Sequence, residues 1–386
     1  DMAWRLIDNS RSTMVWLRNH GIRFIPMFGR QSFMVEGKHH FYGGVNIEAV
    51  GGGSGLVEAE IKRALQIGCE IRYDTAATRL IRDKNKIITG LEVSSPDGIE
   101  TINARSIVLA CGGFESNPEM RARYLGPGWD LARVRGTKHN MGDGIQMAID
   151  IGARAYGNWS GCHSVGWDIS APEYGDYEVL DNFQKHSYPW GIMVNTEGSR
   201  FVDEGEDLRN HTYVKFGREI MKQPNRTAIQ IFDQKTIPLL RDEYRIRQVT
   251  KVSANTIGEL AVELEINGDA LTKTIKEFNS ACKPGKFNPS ILDGVTTVGL
   301  NPNKTNWALP IDEPPFEAFI TTTGVTFTFG GLKVDDKGSV LDNGDRSIKG
   351  LFAAGELVGG LFYENYPGGS GLMAGAVYGK IAGENA

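Results

Sequence analysis

The apolar positions of the first twenty residues recur at helical spacing. Leu6, Met14 and Leu17 share one face of the predicted helix, and Gly21 stands where a helix can end in left-handed backbone. The apolar segment 22–25 follows directly. The pattern predicts a helix that turns back into a short strand.

A second helix-to-strand return follows at residues 54–73. Ser54 is a candidate N-cap, and Gly68 is a candidate end of the helix, before a strand at 70–73. The apolar face consists of Val57, Ile61 and Leu65. The triple glycine 51–53 leaves two interpretations open: backbone N–H groups that receive a phosphate or carboxylate, or a plain tight turn.

Alternating residues then predict three short antiparallel strands, near 79–82, 87–93 and 100–102. The turn signals between them are 83–85 and 96–98. We expect a small β-meander.

A continuous apolar run at 106–110 predicts a strand buried on both faces. It ends at the tight turn 111–113, and such strand ends are where α/β folds place ligands. The segment 348–386 again predicts a strand, followed by a glycine-rich turn and a helix of small residues. We therefore expect the fold of the first part of the chain to resume there.

Composition changes near residue 158, where tryptophans and tyrosines become frequent. We therefore predict an α/β, overall α+β, protein in which 1–157 and 323–386 form one domain and 158–322 form an inserted domain. At 386 residues the chain is long enough for two or three domains of about 150 residues each.

The charge and cysteine patterns narrow the function. The 42 basic and 47 acidic residues give a net charge of −5 without a block of like charges, which argues against a nucleic-acid partner. The four separated cysteines form neither a metal motif nor a disulfide framework, which favours a reducing compartment and no metal. No 18-residue apolar run or signal peptide is recognisable, so we expect a cytoplasmic protein without membrane insertion.

The strongest chemical signal is the apolar strand and turn that lead into Glu356. A carboxylate placed after the sharp turn at Gly355 suits the hydroxyls of a ribitol or ribose. The helix that follows, 370–383, is rich in glycine and alanine, so a flat ring could approach its backbone and its N-terminus would stabilise an anion. Close helix-to-sheet packing is the alternative.

Four sequence motifs are specific enough to indicate a family: 107–115 (IVLACGGFE), 191–204 (GIMVNTEGSRFVDE), 327–331 (FTFGG) and 355–362 (GELVGGLF). Through them the chain resembles the flavoprotein superfamily of fumarate reductase and succinate dehydrogenase, which also holds the 3-ketosteroid dehydrogenases. The motifs look most similar to those of the FAD-dependent tricarballylate dehydrogenases.

The resemblance implies an FAD domain interrupted by a capping domain, with the active site between them. Family members begin with a strand, GxGxxG and a helix, and this chain is expected to start after them. Neither 53–58 nor 369–374 has the strand-turn-helix context of that fingerprint. The residues expected to hold FAD are Thr78, Ala110, Cys111, Gly112, Gly113, Asp143, Gly355, Glu356, Ser370, Gly371 and Leu372.

By the same resemblance Arg209 is the proton shuttle and His163 binds the substrate. An arginine is a poor base by itself, so a relay is needed, with Glu204, Glu206 and Asp207 as candidates. The further substrate contacts expected are Lys185, His186, Tyr188, Thr326 and Gly369.

Two departures separate the chain from the fumarate reductases. Thr326 to Phe329 replaces a histidine segment, and Tyr366-Pro-Gly replaces a second arginine. Tyr366 resembles the ketosteroid dehydrogenase tyrosine that polarises a carbonyl, and it could equally bond a third carboxylate. We expect dehydrogenation of tricarballylate to cis-aconitate, with electrons passed to a separate partner; a fumarate reductase, a ketosteroid-type dehydrogenase and a non-catalytic remnant are the alternatives.

Overall fold

The computed structural model describes residues 2–35, 37–41 and 45–386. The helices are α1 Met2–Asn19, α2 Phe28–Gln31, α3 Gly52–Gln66, α4 Pro118–Met120, α5 Asp143–Asp150, α6 Arg209–Met221, α7 Ile257–Glu263, α8 Gly268–Ala281 and α9 Ser370–Asn385. The strands are β1 Phe24–Pro26, β2 Ser32–Val35, β3 Lys38–Phe41, β4 Ile47–Ala49, β5 Ala76–Arg82, β6 Ile88–Ser95, β7 Gly98–Asn103, β8 Ile107–Leu109, β9 Arg133–Val134, β10 Ala155–Asp168, β11 Ile192–Asn195, β12 Ala228–Phe232, β13 Lys251–Ala254, β14 Phe316–Leu332, β15 Ser339–Leu341 and β16 Ser347–Ala353. This is the mixed α/β fold expected from the sequence.

The largest sheet has the order β10-β14-β12-β11, and β9 and β13 also pair with β14. Strand β14 is antiparallel to β10, with His163 opposite Phe327, and parallel to β9. Both predicted domain boundaries, 157/158 and 322/323, lie inside these two long strands. The sheet therefore runs continuously across them.

A smaller sheet has the order β15-β16-β8, and β16 runs parallel to β8. Parallel strands end at the same edge, so the turns after residues 109 and 353 lie side by side. The prediction of burial on both faces of β8 is only partly correct, because Val108 is 37% exposed.

The predicted meander is confirmed as the antiparallel sheet β5-β6-β7. Two local predictions near it are wrong. Helix α3 begins after Gly51, whose φ of 83° lets the chain turn without a side-chain cap from Ser54. The segment 70–73 forms no β-ladder with any described residue, and Arg72 is instead ion-paired with Glu100.

Candidate active site

The turns after β8 and β16 form the edge at which the sequence predicts FAD. A Cβ on Gly113 would lie 2.2 Å from both Glu356 Oε1 and Thr328 Oγ1, so only glycine permits this approach. Ala110 and Cys111, just before the turn, are exposed. The edge therefore combines open backbone with a carboxylate, which fits a cofactor rich in hydroxyl groups.

Glu356 shares this edge with a second buried carboxyl group, Glu115. Glu356 Oε1 accepts a 2.8 Å hydrogen bond from the Thr328 backbone N–H, and Asn140 Nδ2 donates to Glu115 Oε1. Burial raises the pKa of both carboxyl groups, and the negative charge of Glu115 raises the pKa of Glu356 further. Such a pair holds a proton at neutral pH more readily than isolated carboxylates do.

The start of α9 adjoins this edge on its substrate side. Ser370, Gly371 and Leu372 form its first turn after Gly369, which has a φ of 87°. A Cβ on Gly371 would lie 3.5 Å from the Phe327 ring and 3.9 Å from the Tyr366 ring. The helix start predicted to face flavin thus adjoins the rings of the predicted substrate site.

Two further predicted cofactor residues lie at different distances from this edge. Asp143 begins α5 beside Cys111, whose Sγ would lie 2.1 Å from a Cβ on Gly144. The Thr78 hydroxyl donates to the Glu92 carbonyl oxygen within the meander at 3.2 Å. The described contacts therefore tie Asp143, but not Thr78, to the cofactor edge.

His163 lies at the centre of the predicted substrate site. It is 1% exposed on β10, and its ring packs against Tyr213, Phe327 and Tyr366. Neither ring nitrogen has a hydrogen-bond partner among the described residues. Burial, reinforced by the positive charges of Arg135 and Arg209, holds its pKa well below the ordinary value, so the ring is neutral.

His186 is a second buried imidazole with the same properties. It is 2% exposed, its ring meets the edge of Tyr213 at 5.1 Å, and both its nitrogens lack partners in the described chain. Burial and then the charges of Arg209, Arg135 and Arg241 lower its pKa. Two polar rings without partners indicate a site that a polar ligand completes.

Tyr213 joins these groups, and the sequence analysis did not identify it. It lies one turn after Arg209 on α6, and the Arg209 guanidinium carbon is 4.8 Å from its ring centroid. Its hydroxyl donates to Tyr366 Oη at 2.8 Å. The i, i+4 spacing from Arg209 was the one available signal for its position.

Arg209 is the first residue of α6, which Gly217 holds close to β10. A Cβ at Gly217 would lie 2.4 Å from the Ser164 carbonyl carbon, so a larger residue would displace the helix. Burial and the charge of Arg241 lower the pKa of Arg209 to about 9, and its Nε has no partner among the described residues. The guanidinium is thus positioned in the site without a fixed acceptor for its Nε.

Two other arginines reach the same site and were missed. Arg135 follows β9, donates to Asp181 at 2.9 Å and lies 3.4 Å from the Thr326 hydroxyl. Arg241 is 5% exposed and lines a small cavity together with His186 and Arg209. Both lie in irregular segments, and only the folded chain brings them to the histidines.

Two predicted substrate contacts are already engaged. Lys185 is fully buried; its Nζ lies 3.4 Å from Asp168 Oδ2 and donates to the Phe183 carbonyl oxygen. The Tyr188 hydroxyl bonds Thr212 Oγ1 at 2.6 Å. The Lys185 ammonium and the Tyr188 hydroxyl therefore already have hydrogen-bond partners outside the ring cluster of His163, His186, Tyr213 and Tyr366.

The carboxylates predicted to relay protons to Arg209 also have other partners. Glu204 accepts from the Met193 backbone N–H and pairs with Arg200, and Glu206 pairs with Lys215. Asp207 accepts from the Leu208 backbone N–H, and its Oδ2 lies 3.2 Å from His211 Nδ1. Among the described residues, none of the three forms an ion pair or hydrogen bond with Arg209, and Glu243 is the carboxylate whose charge raises the pKa of Arg209.

The family of FAD binding domains matches residues 4–372 of the chain. The chain is 28% identical to the probable fumarate reductase Ifc3 of Shewanella frigidimarina, over 99% of this chain and 60% of that relative. It is 31% identical to the NADH:acrylate oxidoreductase of Vibrio harveyi, over 84% of this chain and 31% of that relative. The chain therefore spans less than two thirds of the length of these relatives.

Among solved structures, the open conformation of a flavocytochrome c3 fumarate reductase superposes with a TM-score of 0.73. It shares 24% identity, and the match covers 100% of this chain and 63% of that one. At this identity the likeness establishes the fold. Within the described residues, no helix is long and apolar enough to span a bilayer.

Proposed function

Because the chain belongs to the family of FAD binding domains, we propose that it dehydrogenates a CH–CH bond beside a carboxylate, with tricarballylate as substrate and cis-aconitate as product. The matched FAD-binding family and the similar fumarate and acrylate reductases support an FAD-dependent oxidoreductase. The cofactor supplies a two-electron acceptor when bound.

One observation carries the choice of a polycarboxylate. Arg135, Arg209 and Arg241 surround two neutral imidazoles, His163 and His186, whose nitrogens have no partners among the described residues. Arg135 is also ion-paired with Asp181, and Arg209 and Arg241 line one cavity with His186. This concentration of positive charge favours an anion with more than one carboxylate, since arginine binds carboxylates through paired N–H donors. Tricarballylate offers three carboxylates.

The chain's own residues have distinct tasks in this reaction. We assign carboxylate binding to Arg135, Arg241 and the two imidazoles, and a hydrogen bond to the substrate to Tyr366. Arg209, after its guanidinium has lost a proton to an acceptor, takes the proton from one carbon while a hydride leaves the other for the flavin; its pKa of about 9 makes the neutral form accessible. Arginine contacts that hold the substrate carboxylates also stabilise the enolate character that develops during proton removal.

The names of the relatives support the same chemistry at the reacting bond. Fumarate and acrylate, which the two relatives are named for, each contain a carbon–carbon double bond conjugated with a carboxylate. The electrons taken from the substrate must leave the flavin, and we propose a separate protein or carrier as their acceptor.

A ketosteroid-type reaction is the second candidate, because of one specific contact. The Tyr213 and Tyr366 hydroxyls lie 2.8 Å apart beside an aromatic wall of Phe327, Phe329 and Phe362. Paired phenols can polarise a ketone, and the wall would suit an apolar body. The three arginines argue against it, because an uncharged steroid offers no group that would bind a buried guanidinium through paired hydrogen bonds.

Anaerobic titration of the flavin-loaded protein tests the proposal. Tricarballylate is expected to bleach the flavin band and to yield cis-aconitate, and succinate to do so at least tenfold more slowly. Bleaching by a 3-ketosteroid alone would establish the second candidate. The dehydrogenase proposal would be wrong if the flavin stayed oxidised in the presence of tricarballylate. If fumarate also reoxidised the reduced protein, the protein would be a fumarate reductase.

A further inference from the structure

His186 and Arg241 line the same small cavity, although they come from distant irregular segments. His186 lies in the segment before the turn at Tyr188, and Arg241 directly precedes the single turn Asp242–Tyr244. Neither ring nitrogen of His186 has a hydrogen-bond partner in the described part of the chain. The position of the ring must therefore be set by the backbone and the packing around it.

Buried side chains bind the backbone on both sides of His186. The Ser187 N–H donates to the Tyr244 hydroxyl at 2.8 Å, and Gln230 Nε2 donates to the Lys185 carbonyl oxygen at 2.9 Å. The Tyr244 hydroxyl in turn donates to Gln230 Oε1. All of these groups are buried, so the two attachments form one network that is shielded from water.

The large sheet anchors this network. Gln230 lies on β12, which runs between β14 and β11. The Tyr244 ring packs edge-on against Phe232 and Phe319 of the same sheet. Burial raises the pKa of the Tyr244 phenol well above its ordinary value, so the hydroxyl keeps the proton that it donates to Gln230.

The same network reaches Arg241. The Arg241 N–H donates to Ser187 Oγ at 3.1 Å, and the Tyr244 N–H donates to the Arg241 carbonyl oxygen at 3.0 Å. Ser187 thus binds Tyr244 through its backbone and Arg241 through its side chain. His186 and Arg241, each next to one of these residues or hydrogen-bonded to it, are held in one arrangement.

Lys185 adds a further attachment between the two segments. Its Nζ donates to the Phe183 carbonyl oxygen at 3.1 Å and to the Glu243 carbonyl oxygen at 3.4 Å, and it is ion-paired with Asp168. The lysine that the family resemblance places against the substrate thus ties the segment before His186 to the turn after Arg241.

We propose that Ser187 and Tyr244 are positioning residues, which hold the His186 imidazole and the Arg241 guanidinium in the arrangement that a polycarboxylate requires. The inference rests on the proposed function, because it takes His186 and Arg241 as contacts of the substrate carboxylates. Binding groups that are already in place before the substrate arrives lose less entropy when they bind it. Ser187 and Tyr244 act through the two contact residues.

Tyr244→Phe is the central variant, because it keeps the ring and removes the hydroxyl that joins Ser187 to Gln230. A displacement of about 1 Å in a site can cost about 10²-fold, so we expect KM for tricarballylate to rise roughly tenfold to a hundredfold. We expect kcat to change less than threefold and flavin content to stay unchanged, since Arg209 lies outside the network. Tyr177→Phe is the matched control, because Tyr177 is 96% exposed.

Ser187→Ala tests the link to Arg241 alone, since it removes the acceptor of the Arg241 N–H and keeps the N–H that donates to Tyr244. We expect a severalfold higher KM for tricarballylate. In an Arg241→Met background the same change should have little further effect, because residues that act through one another are not additive. A merely structural role would add the full loss of Ser187→Ala to that of Arg241→Met, and that result would overturn the assignment.

NMR of ¹³C-labelled histidine tests the positioning without a substrate. The imidazole signal of His186 is assigned by its loss in His186→Gln. In Tyr244→Phe we expect this signal to shift or broaden, and the signal of His163, which packs against Tyr213 and Tyr366, to change less. An unchanged His186 signal would overturn the inference. Equal changes in both signals would show a general loss of packing and would overturn it as well.

The positioning and the substrate can fail separately. If the wild type does not oxidise tricarballylate, the proposed function is wrong, and the Kd values of tricarballylate and fumarate are then compared through their effect on the flavin spectrum. A higher Kd for either anion in Tyr244→Phe, together with the shifted His186 signal, would support the positioning role. If the wild type binds neither anion, the inference is overturned together with the function.

Discussion

The Tyr213 hydroxyl donates a 2.8 Å hydrogen bond to the Tyr366 hydroxyl and so joins α6 to the segment that precedes α9. Both rings also pack edge-on against His163. One phenol pair and one imidazole therefore hold α6 and the segment before α9 together, at the place where we propose that the substrate reacts.

Tyr366→Phe should separate the two candidate reactions. With a carboxylate substrate it loses one hydrogen bond to a charged group, of about 1.5–3 kcal/mol, so we expect kcat/KM to fall roughly tenfold to a hundredfold, mainly through a higher KM. With a ketosteroid it loses the group that polarises the carbonyl, and the loss should exceed a hundredfold. Tyr363→Phe is the control, because Tyr363 is 74% exposed.

Arg241→Met should weaken the binding of tricarballylate more than the binding of smaller carboxylates. A hydrogen bond to a charged group contributes about 1.5–3 kcal/mol, so we expect KM for tricarballylate to rise between tenfold and a hundredfold. The KM for fumarate or succinate should change less than threefold if Arg241 binds the additional carboxylate of tricarballylate. Arg247→Met, at an exposed position of the same segment, serves as the control; an equal effect on all the carboxylates would contradict this assignment.

The parts of this site that the sequence predicted are those encoded by contiguous strings. The strand and turn that end at Glu356 could be predicted from the local apolar pattern and the glycines. The same signals predicted the meander. Arg135 and Arg241 are single residues in irregular segments, and no spacing relates them to Arg209. Only the pairing of β9 with β14 and the packing of the 241–244 turn place them there.

The prediction for Lys185 rested on the family resemblance alone. In the structure its Nζ is ion-paired with Asp168, which lies seventeen residues earlier, at the end of β10, and is equally buried. A buried ion pair between distant residues has no local signal in one sequence.

The buried histidines predict a loss of stability in mild acid. His163 and His186 have folded-state pKa values below 6.5, so the unfolded chain binds more protons between the two values. The contribution of the two neutral rings to the free energy of unfolding is complete above pH ~6.5. It falls as the pH drops below that value, by up to about 1.4 kcal/mol per pH unit for each ring. Urea unfolding at pH 7.5 and 5.5 measures this.

His186→Gln should flatten that dependence, because glutamine does not titrate. His139→Gln, at an exposed histidine, should leave it unchanged. A wild-type free energy of unfolding that is the same at both pH values would contradict the neutral, buried state of the two rings.

The carboxyl pair at the cofactor edge predicts the opposite trend. The pKa values of Glu115 and Glu356 are raised, so their stabilising contribution is complete below pH ~4.5 and is lost as the pH rises through the raised values. Glu356→Gln removes the charge and keeps a carbonyl acceptor for the Thr328 N–H. We expect the flavin-free variant to be more stable than the wild type at pH 8, and the difference to shrink towards pH 5.

The same variant should bind FAD more weakly, because an amide accepts hydrogen bonds from hydroxyl groups less strongly than a carboxylate. A roughly tenfold higher Kd, measured by flavin fluorescence, would agree with the proposed role of Glu356 in binding the hydroxyls of the cofactor. Glu119→Gln is the matched control, since Glu119 lies four residues after Glu115 and its side chain is 62% exposed. Unchanged FAD affinity with the expected gain in stability would mean that Glu356 orders Gly113 and Thr328 without contacting the cofactor.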